Sequence, residues 1–142
     1  MKTVKNILQS KQSGVYAVAR DTTVLEALKV MMDKNISALL VIEDEELLGI
    51  FTERDYARKV ALQGRSSKDT TIQEIMTANP RTISQEDSIE SCMRLMTVNH
   101  FRHLPIVSEG KVIGMISIGD VVKFIIEDQQ QTIDHLQSYI HS

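Results

Sequence analysis

The chain has 142 residues, 42% of them apolar and 25% charged, with a net charge of −3 at pH 7. That length suits one compact domain around a single hydrophobic core, and the balance excludes the disordered and fibrous classes and offers no basic excess for nucleic acid. No apolar run approaches the ~20 residues that a membrane span needs, the first residues do not resemble a signal peptide, and the lone Cys92 can form no intramolecular disulfide, so a reducing, cytoplasmic setting is expected.

From the N-terminus, residues 4–8 form a short apolar lead, and Val15-Tyr16-Ala17-Val18 is extended in pattern. Val24, Ala27, Leu28 and Met31 then show the i, i+3, i+4, i+7 spacing of an amphipathic helix. Asp21, Thr22 and Thr23 ahead of it, with Glu26 in its first turn, are helix start signals. Leu39-Leu40-Val41-Ile42 and Leu47-Leu48-Gly49-Ile50-Phe51, joined by Glu43-Asp44-Glu45-Glu46, read as a hairpin, and a second helix is expected from near Asp55 to Gln63. Residues 64–71 are a polar, Gly/Ser-bearing loop too short to separate independent domains.

The second half repeats the first. Gly49 meets Gly114 and Asp55 meets Asp120 at an offset of 65 residues, and the same offset carries the helical set onto Ile89, Cys92, Met93 and Met96. Arg81-Thr82-Ile83 matches the first extended segment, and Leu104-Pro105-Ile106-Val107 and Val112-Ile113-Gly114-Met115-Ile116 form the second hairpin, where Gly110 suits a left-handed turn position. A closing helix is expected from near Asp120. The lead recurs as residues 72–76 at an offset of 68, and the three-residue difference lies within residues 9–14. Each unit therefore reads strand, helix, strand, strand, helix, an α+β half-domain.

A Gly-apolar-x-Thr/Ser-x-x-Asp hairpin end, present twice, each time after an amphipathic helix and with an Ile75-Met76-Thr77 lead in the second copy, resembles the cystathionine β-synthase (CBS) repeat. The first copy departs from that lead with Ile7-Leu8-Gln9. The resemblance implies two repeats, residues 4–63 and 72–126, packed about a pseudo-twofold axis with two clefts; residues 127–142 beyond them read as a helical tail. It further implies binding of AMP, ATP or NAD(H), and homodimeric discs.

The chemistry of Thr52-x-x-Asp55 and Ser117-x-x-Asp120 points the same way on its own. A carboxylate just past a strand end can accept both hydroxyls of a ribose diol, and the free amides of the helix that follows favour phosphate. The same pattern is also the capping box that starts a helix. Arg54, Arg58 and Lys59 cluster within two helical turns after the first copy, where they could meet phosphate, whereas the second copy lacks this set, so unequal clefts are expected. By resemblance, Arg102 and His103 face phosphates, with Ser37 and Ala38 at the matching place in the first repeat. Adenine is expected near Tyr16 and Ala17, Ile36 and Ser37, and near Thr82 and Phe101.

Other constellations are weaker. His100-x-x-His103 lacks further ligands at a metal-site spacing, so no metal is expected. Cys92 sits on the apolar face of its helix as a small hydrophobe, and neither a Walker nor a Rossmann glycine pattern appears. Ile126, Ile133 and Ile140 recur every seven residues, with Leu136 and Tyr139 between, a stripe that suits either a second copy of the chain or packing back on its own module. The expected function is a non-catalytic, nucleotide-binding regulatory module whose regulated enzyme is unidentified. Its rivals are a ligand-free dimerisation scaffold and an enzyme using Asp55 or Asp120 as a base.

Overall fold

A computed structural model describes residues 2–11 and 14–141. Two helices dominate the first and second halves at equivalent places, α2 (Val24–Lys34) and α5 (Ile89–Asn99). Thr23 and Ser88 cap them by accepting the amides of Glu26 and Ser91, and the left-handed residues Asn35 and His100 end them by donating to Met31 and Met96 carbonyls. His100 thus has a backbone role as a helix terminator.

Each helix is followed by a hairpin: β2 (Ala38–Glu43) with β3 (Glu46–Thr52), and β5 (His103–Ser108) with β6 (Lys111–Ser117). The two-residue turns, Asp44-Glu45 and Glu109-Gly110, hold all four residues at positive φ, the left-handed geometry that matches strand twist. β1 (Ala17–Val18) adds to β2 in parallel. After β3 come α3 (Glu53–Tyr56) and a π-helical turn (Ala57–Ala61), in place of the regular helix expected from Asp55 to Gln63. After β6 comes α6 (Ile118–His141).

The second extended segment does not become a strand. Arg81-Thr82-Ile83 retains one bridge, Ile83 to Ile106. In the first repeat the Leu40 amide donates to the Tyr16 carbonyl at 3.2 Å. Pro105 stands at the place of Leu40 and has no N–H to give, so the second ladder loses that bond. The first sheet instead gains an unforeseen strand, β4 (Thr77–Ala78), which pairs with Gly49 and Ile50 of β3 and makes the order β1-β2-β3-β4.

The single core expected from chain length is three clusters. One contains Ile89, Cys92, Met96, Leu104, Ile106 and Ile116 of the second repeat together with Val4 and Ile7 of α1 (Val4–Ser10). The second contains Val24, Met31, Leu39, Val41 and Phe51 of the first repeat together with Ile72 and Ile75 of α4 (Ile72–Ile75). The third, Ala38, Leu40 and Ile50 with Val112 and Met115 against it, lies where the hairpins meet. The lead helices are therefore exchanged, each packing on the opposite repeat. The Val4 and Lys5 amides donate to Asp87 and Gln85 carbonyls at 2.9 and 3.0 Å, and the Ile72 and Gln73 amides to Thr22 and Arg20 at 2.8 and 3.0 Å. Each fully buried Val or Ile in these leads is worth roughly 1.5–3 kcal/mol.

The exchange explains the repeated glycines. A Cβ on Gly49 would lie 2.8 Å from the Thr77 carbonyl and 2.5 Å from the Met76 sulfur, while one on Gly114 would meet chiefly Leu8 Cδ2, the end of a flexible side chain, at 2.6 Å. Gly49→Ala should therefore lower stability by about 1–3 kcal/mol and Gly114→Ala by less, because backbone cannot move aside as a leucine methyl can. Denaturant unfolding of the two variants checks that order; equal losses would contradict it.

Candidate functional site

Thr52 and Ser117 end β3 and β6, and their cross-strand partners are Ala38 and His103, the first residues of β2 and β5. Both Thr/Ser-x-x-Asp turns therefore lie at one end of the molecule, where Ser37 Oγ and His103 Nε2, 3.1 Å apart, join the repeats. At the opposite end the hairpin tips are linked by an exposed Lys111–Glu45 pair at 3.4 Å.

The backbone places the two turns alike. Glu53 and Ile118 amides donate to the Ser37 and Arg102 carbonyls at 3.3 and 2.9 Å, and both acids close capping interactions on the preceding hydroxyl residue. Both motifs thus serve as helix caps, and the same carboxylates remain the candidates for binding.

The carboxylates differ in what else reaches them. Asp55 is buried at 8% exposure. Its Oδ2 accepts the Thr52 amide at 3.0 Å and hydroxyl at 3.1 Å, and its Oδ1 accepts the Thr77 hydroxyl at 3.0 Å and faces the Lys59 ammonium at 3.1 Å. With about four lone-pair sites on a carboxylate, all are committed. Lys59 is thereby turned onto the acid, while Arg54 and Arg58 lie exposed on α3 and the π turn.

Asp120 is more open, its side chain 27% exposed. Its Oδ2 accepts the Ser117 amide at 2.8 Å and the Lys11 ammonium at 2.8 Å, and among the described residues no hydrogen bond reaches its Oδ1. Burial pushes the Asp120 carboxyl up, but the bonds from Lys11 and from the Ser117 amide and hydroxyl outweigh it and hold it below the usual carboxylate value. Lys11 also donates to the Met115 carbonyl at 2.6 Å. His103, half-buried, is held below the usual imidazole value by burial first, with Lys11 and Arg102 acting in the same direction and Asp120 opposing them. Lys11, Arg102, His103 and Asp120 thus form one electrostatic group.

Lys11 was not legible from the sequence. It lies in the stretch where the repeats differ by three residues, so no counterpart marked it, and only the exchange of α1 onto the second repeat brings it to Asp120.

The other expected residues are not gathered at this end. Tyr16 packs on the first-repeat cluster with the Lys34 ammonium 5.8 Å from its ring centre, Ile36 packs on the same cluster, and Ala17 is exposed in β1. Thr82 lines two cavities, one of about 560 Å³ at the hairpin tips and one of about 430 Å³ beside α5, neither of which includes Asp55 or Asp120. Among the described residues no three His, Cys, Asp or Glu side chains are grouped to hold a metal. Burial, with a smaller contribution from Asp87, pushes the Cys92 thiol up to about 11, which leaves it a poor nucleophile.

Comparison with known proteins places these features in a family. The sequence model of the CBS domain matches residues 4–62 and 72–127. The chain is 38% identical to the CBS domain-containing protein CBSX3, mitochondrial, of Arabidopsis thaliana, over 97% of this chain and 71% of that one. Among solved structures, a putative signal-transduction protein with CBS domains from Burkholderia ambifaria superposes with a TM-score of 0.87 at 50% identity, covering 90% of this chain and 96% of that one. The structure of CBSX2 in complex with AMP superposes with a TM-score of 0.75 at 28% identity, covering 91% and 99%.

The lowered Asp120 carboxyl has a consequence for acid stability. Its folded value lies below the ordinary 3.8, so its stabilising contribution is full above about that pH and is lost as pH falls through the lower folded value. Relative to Asp120→Asn, the wild-type advantage in urea unfolding should hold from pH 7 to 5 and shrink below pH 4. An advantage that grows in acid would contradict the pairing.

Proposed function

Because the chain belongs to the CBS domain family, we propose that it is a non-catalytic regulatory module that binds an adenosine nucleotide in its second cleft. AMP, ATP and NAD(H) share the recognised parts, an adenosine ribose with a free diol and at least one phosphate. The ribose hydroxyls donate to Asp120, the phosphate lies toward Arg102, His103 and Lys11, and adenine lies against main chain and apolar side chains near Tyr16 and Ile36.

The observation that carries this reading is the contrast between the acids: Asp120 is the more open one, its side chain 27% exposed and held by Lys11 and Ser117, whereas Asp55 is buried and filled by Thr52, Thr77 and Lys59. The AMP complex of the similar CBSX2 supports the ligand class. Binding by a carboxylate cap costs the protein little rearrangement of backbone, since both turns already hold their acid in place.

Isothermal titration with AMP, ATP, NAD, NADH and 2′-deoxy-AMP tests the assignment. Ribonucleotides should bind and 2′-deoxy-AMP should bind less well. Asp120→Ala should weaken AMP by about tenfold or more, the scale of lost charge-assisted hydrogen bonds, and Asp55→Ala by much less. Silence of the wild type toward every adenosine compound would favour the scaffold reading.

We further propose that two copies pair through α6. The helix is about 36 Å long at its regular rise, and its N-terminal part is tied to the second repeat by Val121, Phe124 and Ile125 and to the N-terminal segment by a 3.8 Å Lys2–Asp128 pair. Beyond this, Ile126, Ile133, Leu136 and Ile140 are exposed, so the tail does not pack back on its own module. With Val122 they occupy alternating three- and four-residue spacings, with Gln129 as the one polar residue in the seam and neutral Gln130, Thr132 and Gln137 flanking it. Beyond Lys123, which flanks the seam at its N-terminal end, a second copy meets neutral side chains there. Ile133→Lys should convert a dimer to a monomer in sedimentation; a wild-type monomer at high micromolar concentration would rule the pairing out.

A further inference from the structure

The ligand reading leaves Lys11 in an awkward place. Its ammonium holds Asp120 Oδ2 at 2.8 Å and the Met115 carbonyl at 2.6 Å, and its side chain is 23% exposed. The Ser117 amide takes the other lone pair of Oδ2. A ribose diol that engages both carboxylate oxygens therefore competes directly with Lys11, because Oδ2 has no further lone pair to offer. One hydroxyl can use Oδ1, but the second needs the lysine to let go.

What happens to a released Lys11 depends on its surroundings. Arg102 and Lys11 both already act against a positive charge on the half-buried His103, and Asp120 is the carboxylate that offsets them. A neutral nucleoside that takes Asp120 would leave the Lys11 ammonium, beside His103 and Arg102, without its anionic partner. A nucleotide brings its own anion. Lys11 sits at the C-terminal end of α1, whose amides are bonded to the second repeat and whose Val4 and Ile7 are in its core, so the base of the lysine is fixed beside the cleft. Its flexible four-carbon stem gives the ammonium a reach of ~6 Å from there.

We propose that Lys11 is the specificity-determining residue of the second cleft: paired to Asp120 in the ligand-free chain, it transfers to the phosphate as ribose takes the carboxylate, and so admits nucleotides in preference to nucleosides. This rests on the nucleotide reading above and adds to it a residue and a selectivity. The first cleft has no such arrangement, because there the matching acid is held by Lys59 of its own helix, four residues on, and by the Thr77 hydroxyl.

The test compares AMP with adenosine by calorimetry at one pH and ionic strength, on wild type, Lys11→Met and Lys11→Gln, with circular dichroism to verify folding. Wild type should prefer AMP strongly. Both variants should bind adenosine several-fold more tightly, since nothing must be displaced, and AMP about tenfold or more weakly, since a charged partner is lost. The ratio of the two affinities should collapse. Carbon-detected NMR of the Asp120 carboxyl supplies a readout independent of ligand, and its titration should move up in both variants. An AMP-to-adenosine ratio that survives in Lys11→Met and Lys11→Gln would overturn the role of Lys11 while leaving the nucleotide reading intact. Absence of AMP binding by the wild type would overturn both.

Discussion

The exchange of lead helices is the constraint on which the rest of this structure depends. α1 completes the core of the second repeat and α4 that of the first, through buried aliphatic side chains and amides bonded to carbonyls at equivalent positions of the opposite repeat. Neither repeat has a closed core without the lead that precedes the other. A half-domain of this size buries only a marginal amount of surface by itself, and sharing segments across the pseudo-twofold axis joins the two halves through common cores. The glycines follow from this, since Gly49 and Gly114 are the places where the incoming leads cross the hairpins.

The same exchange decides the chemistry at the carboxylate end. Each acid closes a cap on its own strand end, and each is then met by the chain that follows the foreign lead, Thr77 beside Asp55 and Lys11 beside Asp120. A hydroxyl and a local lysine fill the first acid. A lysine from the other repeat holds the second, and it can be displaced without disturbing the cap, because the Ser117 amide keeps the turn in place. Two equal motifs thereby acquire different surroundings from their neighbours alone.

Local rules held where local forces decide. Thr23 and Ser88 cap helices as their chemistry suggests, and the hairpins turn where short polar residues interrupt apolar runs. They failed where one residue altered a non-local pairing. Pro105 removes the amide that Leu40 uses in the first repeat, and Arg81-Thr82-Ile83 is left with a single bridge. After the first motif the π turn pairs Lys59 with the buried Asp55, while Arg54 and Arg58 stay at the surface. The expectation of one core failed for a related reason: periodicity identifies the apolar faces of α2 and α5 but does not say that the hairpins keep them apart.

By itself the sequence determined the repeat, the α+β class, the positions of both Thr/Ser-x-x-Asp turns and the apolar stripe of the tail, because each is written in short-range periodicity or in an exact internal offset. Tertiary structure alone decided which lead closes which repeat, which acid is buried and which more open, and that Lys11 stands beside Asp120. Those outcomes depend on contacts between residues up to 109 positions apart, and no local pattern encodes the partner of a side chain that only packing brings within reach.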